Sequence, residues 1–75
     1  LAKADQATNS GDYEQAMALL ERAQRIDPDS AEVYLGMAKA HSAKGDHMQA
    51  RATAERGLLY CSGKIQCDAL RGYAR

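Results

Sequence analysis

The sequence predicts an all-α chain of helix–turn–helix repeats: two units, followed by the first helix of a third or by a capping helix. Three observations carry that prediction. Gly11-Asp12 recurs as Gly45-Asp46, a shift of 34 residues. The same shift pairs Leu1 with Leu35, Ala4 with Ala38, Gln15 with Gln49, Ala16 with Ala50, Ala18 with Ala52 and Glu21-Arg22 with Glu55-Arg56. These are nine identities where an Ala-rich composition gives roughly two or three by chance. Fifteen alanines, one proline and many Glu, Gln, Arg and Leu residues favour helix over strand. Finally, larger apolar side chains recur at helical spacing between the glycine stops.

Each element has a local reason. The first helix runs from the N-terminus to about Ser10, and Gly11 suits the left-handed residue that ends it. Asp12 caps the second helix, with Gln15 placed as the reciprocal half of a capping box. Met17, Leu20 and Ala23 follow on one face, and Pro28 marks the stop, since it cannot continue a helix. Asp29 or Ser30 caps the third helix, with Glu32 as the box partner of Asp29. Tyr34, Met37, Ala38 and His41 share a face of that helix, and Lys44 suits the dipole of its last turn. Gly45, Asp46 and Gln49 repeat the first turn. The fourth helix is expected to reach about Tyr60, Ser62-Gly63 to break it, and a fifth to run from Ile65 to Arg75. Leu20, Ala23, Tyr34, Met37, Ala38 and Ala50 are the expected core.

Composition narrows the functions. A chain of 75 residues is one small domain or a piece of a larger protein. Leu1 already lies inside a patterned segment, which reads as an excised fragment. With no Trp, no Phe and so much of its apolar content in alanine, the chain has too few large side chains to enclose a deep catalytic site. Ten acidic residues balance ten basic ones, whereas a nucleic-acid surface needs a basic excess. No apolar run approaches the roughly 18 residues of a membrane span.

The repeats resemble the tetratricopeptide repeat family. Its period is about 34 residues. Tyr34, Met37-Ala38 and His41 stand at the first-helix positions of the family pattern, and Ala16, Leu20, Ala23 and Pro28 at the second-helix positions. Ala7 and His41 depart from the aromatic usual at their slot, Ala54 stands where the first unit has Leu20, and Ser62 replaces Pro28. The resemblance implies a stacked α–α superhelix. Residues 1–30 form a first repeat truncated at its N-terminus, 31–64 a second, and 65–75 the start of a third or a cap. One repeat cannot bury its own apolar face, so neighbours must stack.

The resemblance also implies a non-catalytic protein–protein interaction module, part of a larger scaffold, with a partner peptide or helix in the concave groove lined by the first helix of each repeat. The implied groove residues are Asp5, Asn9, Leu35, Lys39, Ser42 and Tyr73. Leu1, Thr8, Glu32, Ala43, Gln66 and Ala69 lie on the same stripes. Some family members clamp a chaperone's terminal carboxylate with Lys and Asn at the positions held here by Leu1 and Asp5, Leu35 and Lys39, and Ala69 and Tyr73. Lys39 alone is a poor match. The rival readings are a structural spacer or self-association element without a peptide ligand, and a redox-sensitive module through Cys61 and Cys67.

No catalytic constellation, nucleotide fingerprint or cofactor motif appears. His41 and His47 do not share a helix face and are read as a packing and a surface residue, not metal ligands. Cys61 and Cys67 bracket Ser-Gly-Lys-Ile-Gln. They are either two small buried hydrophobes or a disulfide, and a link is expected in an oxidised sample. Cys61 falls on the slot of Asp27, normally a wet helix end. A link points to the bacterial periplasm or another exported location, free thiols to the cytoplasm.

Overall fold

The computed structural model describes residues 2–75; the stripe position of Leu1 lies outside them. Five helices follow one another: α1 (Ala2–Asn9), α2 (Tyr13–Ile26), α3 (Ala31–Lys44), α4 (His47–Gly57) and α5 (Lys64–Ala74). No strand occurs among the described residues.

The two Gly-Asp turns are built alike. Gly11 and Gly45 take φ of 85° and 93°, the left-handed region where a Cβ is strained. The Gly11 amide donates to the Thr8 carbonyl and the Asp12 amide to Ala7, while Gly45 donates to Ser42 and Asp46 to His41. This is the Schellman pattern, which satisfies carbonyls left over at a helix end. The same aspartates then start the next helix: Asp12 Oδ1 accepts from the Gln15 amide at 3.2 Å and Asp46 Oδ1 from the Gln49 amide at 3.4 Å. The reciprocal half of the expected capping box is not made through the Asp12 amide, because that amide already serves the Ala7 carbonyl. Of the two candidates for the third cap, Ser30 fills the role, its hydroxyl accepting from the Val33 amide at 3.4 Å.

Helix α4 stops at Gly57, short of Tyr60. Leu59 and Tyr60 instead donate to Arg56 and Gly57 three residues back, the tightened turn common at helix ends. Tyr60 then stacks on Tyr34, with ring centroids 5.8 Å apart and planes 11° from parallel. Ser62 occupies the slot filled one unit earlier by Pro28. That corner is fixed by the stack and by a disulfide rather than by a proline ring.

Helix α3 belongs to two cores. Val33, Met37 and Ala40 join Ala4, Ala7, Ala16 and Leu20 in one cluster, while Ala31 and Ala38 join Ala54 and Leu70 in another. Leu20, Tyr34, Met37, Ala38 and Ala50 are buried as expected; Ala23 is only half-buried, at the edge of the first cluster. Leu20 and Leu70 are the largest fully buried side chains.

The two units solve the packing of α2 on α3 and of α4 on α5 with the sizes exchanged. In the first, Leu20 presses on Gly36, where an added Cβ would lie 2.7 Å from Leu20 Cδ2. One repeat further, Leu20 becomes Ala54 and Gly36 becomes Leu70, and these two share the second cluster. A large residue faces a small one in both places, so the apparent defect at Ala54 is compensated across the interface.

Gly57 is hemmed in from two sides. A Cβ there would meet Leu70 Cδ2 and Tyr34 Cβ, each at 2.8 Å. Tyr34 Cβ is tied to its backbone and cannot swing away. Gly57→Ala gains about 1 kcal/mol of helix propensity, but overpacking costs about 1–3 kcal/mol. Its urea midpoint is therefore expected to fall. A raised midpoint would show that α4, α3 and α5 can separate there at little cost.

Candidate partner groove

The odd-numbered helices form a layer. α3 contacts both α1 and α5, whereas α2 and α4 do not touch each other among the described residues. The odd helices therefore pack side by side, with α3 in the middle. Two depressions open on the odd helices. The smaller, about 170 Å³, is lined by Asp5 of α1 and by Glu32, Leu35, Gly36 and Lys39 of α3. The larger, about 610 Å³, lies between Glu32 and Leu35 of α3 and the corner and first turns of α5, ending at Ala69. Glu32 and Leu35 belong to both, so the two adjoin.

Of the residues expected in the groove, Asp5, Leu35 and Lys39 come together here. Lys39 Nζ lies 3.7 Å from Asp5 Oδ1, with both side chains partly in water, an arrangement that contributes little to stability but orients two charges at the rim. Asn9 is exposed, Ser42 half-exposed, and neither lines these depressions. Tyr73 packs against the second core cluster. Gln66 and Ala69, on the α5 stripe, line the larger depression. Sequence reasoning did not single out Gly36, Ile65 or the corner residues as lining. Ile65 and the corner residues are placed by the helix start after Gly63, whose φ of 88° reverses the chain; Gly36 is placed by its position on α3.

Cys61 and Cys67 are joined by a disulfide, their Cα atoms 5.5 Å apart, inside the range such a bond needs. Cys61 lies beyond the end of α4 and Cys67 within α5, so the reversal at Gly63 brings them together even though Cys67 is helical. Cys61 is half-buried against the second cluster rather than wet. The closed loop is short, and its removal is expected to cost about 2 kcal/mol by loop-closure entropy. Cys61→Ser with Cys67→Ser should lower the urea midpoint to match; an unchanged midpoint would show that the unfolded chain gains nothing from release of this loop.

A third depression lies between α2 with its preceding turn and the C-terminal half of α3, where Gly11 to Glu14, Met17 and Glu21 meet Ala40, His41 and Lys44. Tyr13 Oη donates to the Ala43 carbonyl at 3.2 Å, serving one of the orphan acceptors at the end of α3. His41 is half-buried at this site and His47 exposed. No group of three or more His, Cys, Asp or Glu side chains suited to a metal occurs among the described residues, and no described helix is long and apolar enough to cross a membrane.

The tetratricopeptide repeat family model matches residues 7–60. The chain belongs to the tetratricopeptide repeat family. No curated protein and no solved structure matches it. The match takes in both Gly-Asp turns, α2, α3 and α4. Tetratricopeptide repeats generally mediate protein–protein interaction and are typically non-catalytic. Lys39, at one of the clamp positions considered above, is paired with Asp5 and shares its depression with Leu35.

Proposed function

We propose that the chain is a partner-binding section of a larger tetratricopeptide scaffold, taking a peptide or helix across the face of α1, α3 and α5. The observation that supports this most directly is the pair of adjoining depressions that share Glu32 and Leu35 and span all three odd helices. A leucine beside an exposed acid, flanked by an ion pair, offers an apolar foothold with a polar rim, the arrangement that grooves accepting peptide helices use. The test is amide-shift mapping of the labelled chain against a peptide library. Shifts gathered at Asp5, Leu35, Lys39 and Ala69 are the expected result, and shifts gathered only around His41 and Lys44 would sink it.

A second reading, self-association without a peptide ligand, has its own support. Ile26, Met48 and Leu59 are 80%, 85% and 76% exposed. Sedimentation across a range of concentrations separates the two: self-association accompanied by no peptide-induced shift favours the second.

A further inference from the structure

The larger depression has a wall of unusual origin. All five residues enclosed between the two cysteines, 62–66, line it, facing Glu32, Leu35 and Ala69. The wall is therefore one closed covalent ring on one side and α3 on the other. Its exposed apolar member is Ile65, 88% accessible, across from Leu35. The ring is braced at its foot, where the Ser62 amide donates to Gln66 Oε1 at 3.4 Å.

The charges of this depression are unequal. Lys64 Nζ is held by Asp68 Oδ2 at 2.6 Å, and Asp68 also receives Arg71 at 2.8 Å. Lys39 is engaged with Asp5. Glu32, exposed at the junction of the two depressions, has no ion-pair partner among the described residues. A ligand that fits must place an aliphatic side chain between Ile65 and Leu35 and a positive charge beside Glu32.

We propose that the ring closed by Cys61 and Cys67 is the ligand-selecting wall of the groove, that it takes a segment carrying an aliphatic residue next to Lys or Arg, and that it does so only while the disulfide is intact. This rests on the groove reading above and adds the partner's chemistry and its control. Opening the ring needs a dithiol. Thiolate attack breaks the Sγ–Sγ bond, and two electrons and two protons from the reductant leave two thiols on the protein while the reductant closes to its own disulfide. The freed corner must then be ordered by the ligand at the moment of binding, which lowers affinity.

The probes are two fluorescent peptide pools of equal length, each with a central aliphatic residue, flanked by Lys and Arg in one and by Asp and Glu in the other. The oxidised chain is expected to bind the basic pool about fivefold more tightly, and Glu32→Lys to reverse that order. Dithiothreitol is expected to weaken binding at least about tenfold in the wild type. It should do nothing to the Cys61→Ser, Cys67→Ser double variant, which should already bind as the reduced chain does. Amide exchange in α2, which does not touch α5, is followed in the same samples. Loss of its protection on reduction would overturn the proposal, since the disulfide would then be holding the fold and not the wall. Equal affinity with and without reductant overturns the redox control, and a basic preference that survives Glu32→Lys overturns the charge assignment; both leave the groove reading standing. If neither pool binds the oxidised chain, the proposal and the groove reading fall together.

Discussion

Leu20→Ala is expected to cost about 2–5 kcal/mol, as for other fully buried leucines, and Gly36→Leu about 1–3 kcal/mol or more by overpacking. Made together, the two should cost clearly less than their sum. Leu20 has no exposed surface and its Cδ2 lies only 2.7 Å from where a Cβ at position 36 would fall. A leucine entering at Gly36 therefore needs the space that Leu20 vacates, and a cavity at Leu20 is what a side chain at 36 would fill. The chain already contains the exchanged arrangement, with Ala54 and Leu70 at the same two positions one repeat later. Urea denaturation of the four proteins gives the coupling directly, and residues in contact commonly couple by about 0.5–3 kcal/mol. Costs that simply add would show that the two interfaces differ in backbone geometry and not only in side-chain size.

This pair marks the boundary of what the sequence reveals. The period, the Gly-Asp turns, Pro28 and the helix stripes act through neighbours within a few residues, so their order along the chain is enough to read them. All five helices and both turns were legible on that basis, as was the burial of Leu20, Tyr34, Met37 and Ala38. The facing of Leu20 by Gly36, and of Ala54 by Leu70, depends on which helix lies across the interface. Ala54 alone therefore reads as a weak spot. For the same reason the second buried face of α3, carrying Val33 and Ala40, was not visible in a pattern that assigns one apolar face to each helix. The helical stripes that carry Asp5, Leu35 and Lys39 were legible, and these three residues line one depression. Of the ring between Cys61 and Cys67 only Gln66 was legible as lying on a stripe; residues 62–65 were not, because a corner has no periodicity and its placement comes from Gly63 and the disulfide.

Leu70→Ala should remove about 2–5 kcal/mol of packing at a site with no exposed surface. Helix α5 rests only on α3 and α4, and α2 only on α1 and α3, among the described residues. In a stacked array each unit is stabilised chiefly by its neighbours, and segments with few partners open below the global free energy. Amide exchange in α5 should therefore accelerate by about 30-fold or more, since about 1.4 kcal/mol is a factor of ten. Exchange in α2 should change far less, because its packing partners Ala4, Ala7 and Met37 lie in the other cluster. The disulfide limits the excursion by keeping the first turn of α5 near the end of α4. Adding dithiothreitol to the same variant should accelerate α5 again without reaching α2 to the same degree. Equal acceleration in all five helices would show that α3, which lies in both clusters, couples them into one cooperative unit, and that the chain does not behave as a stack of semi-independent repeats.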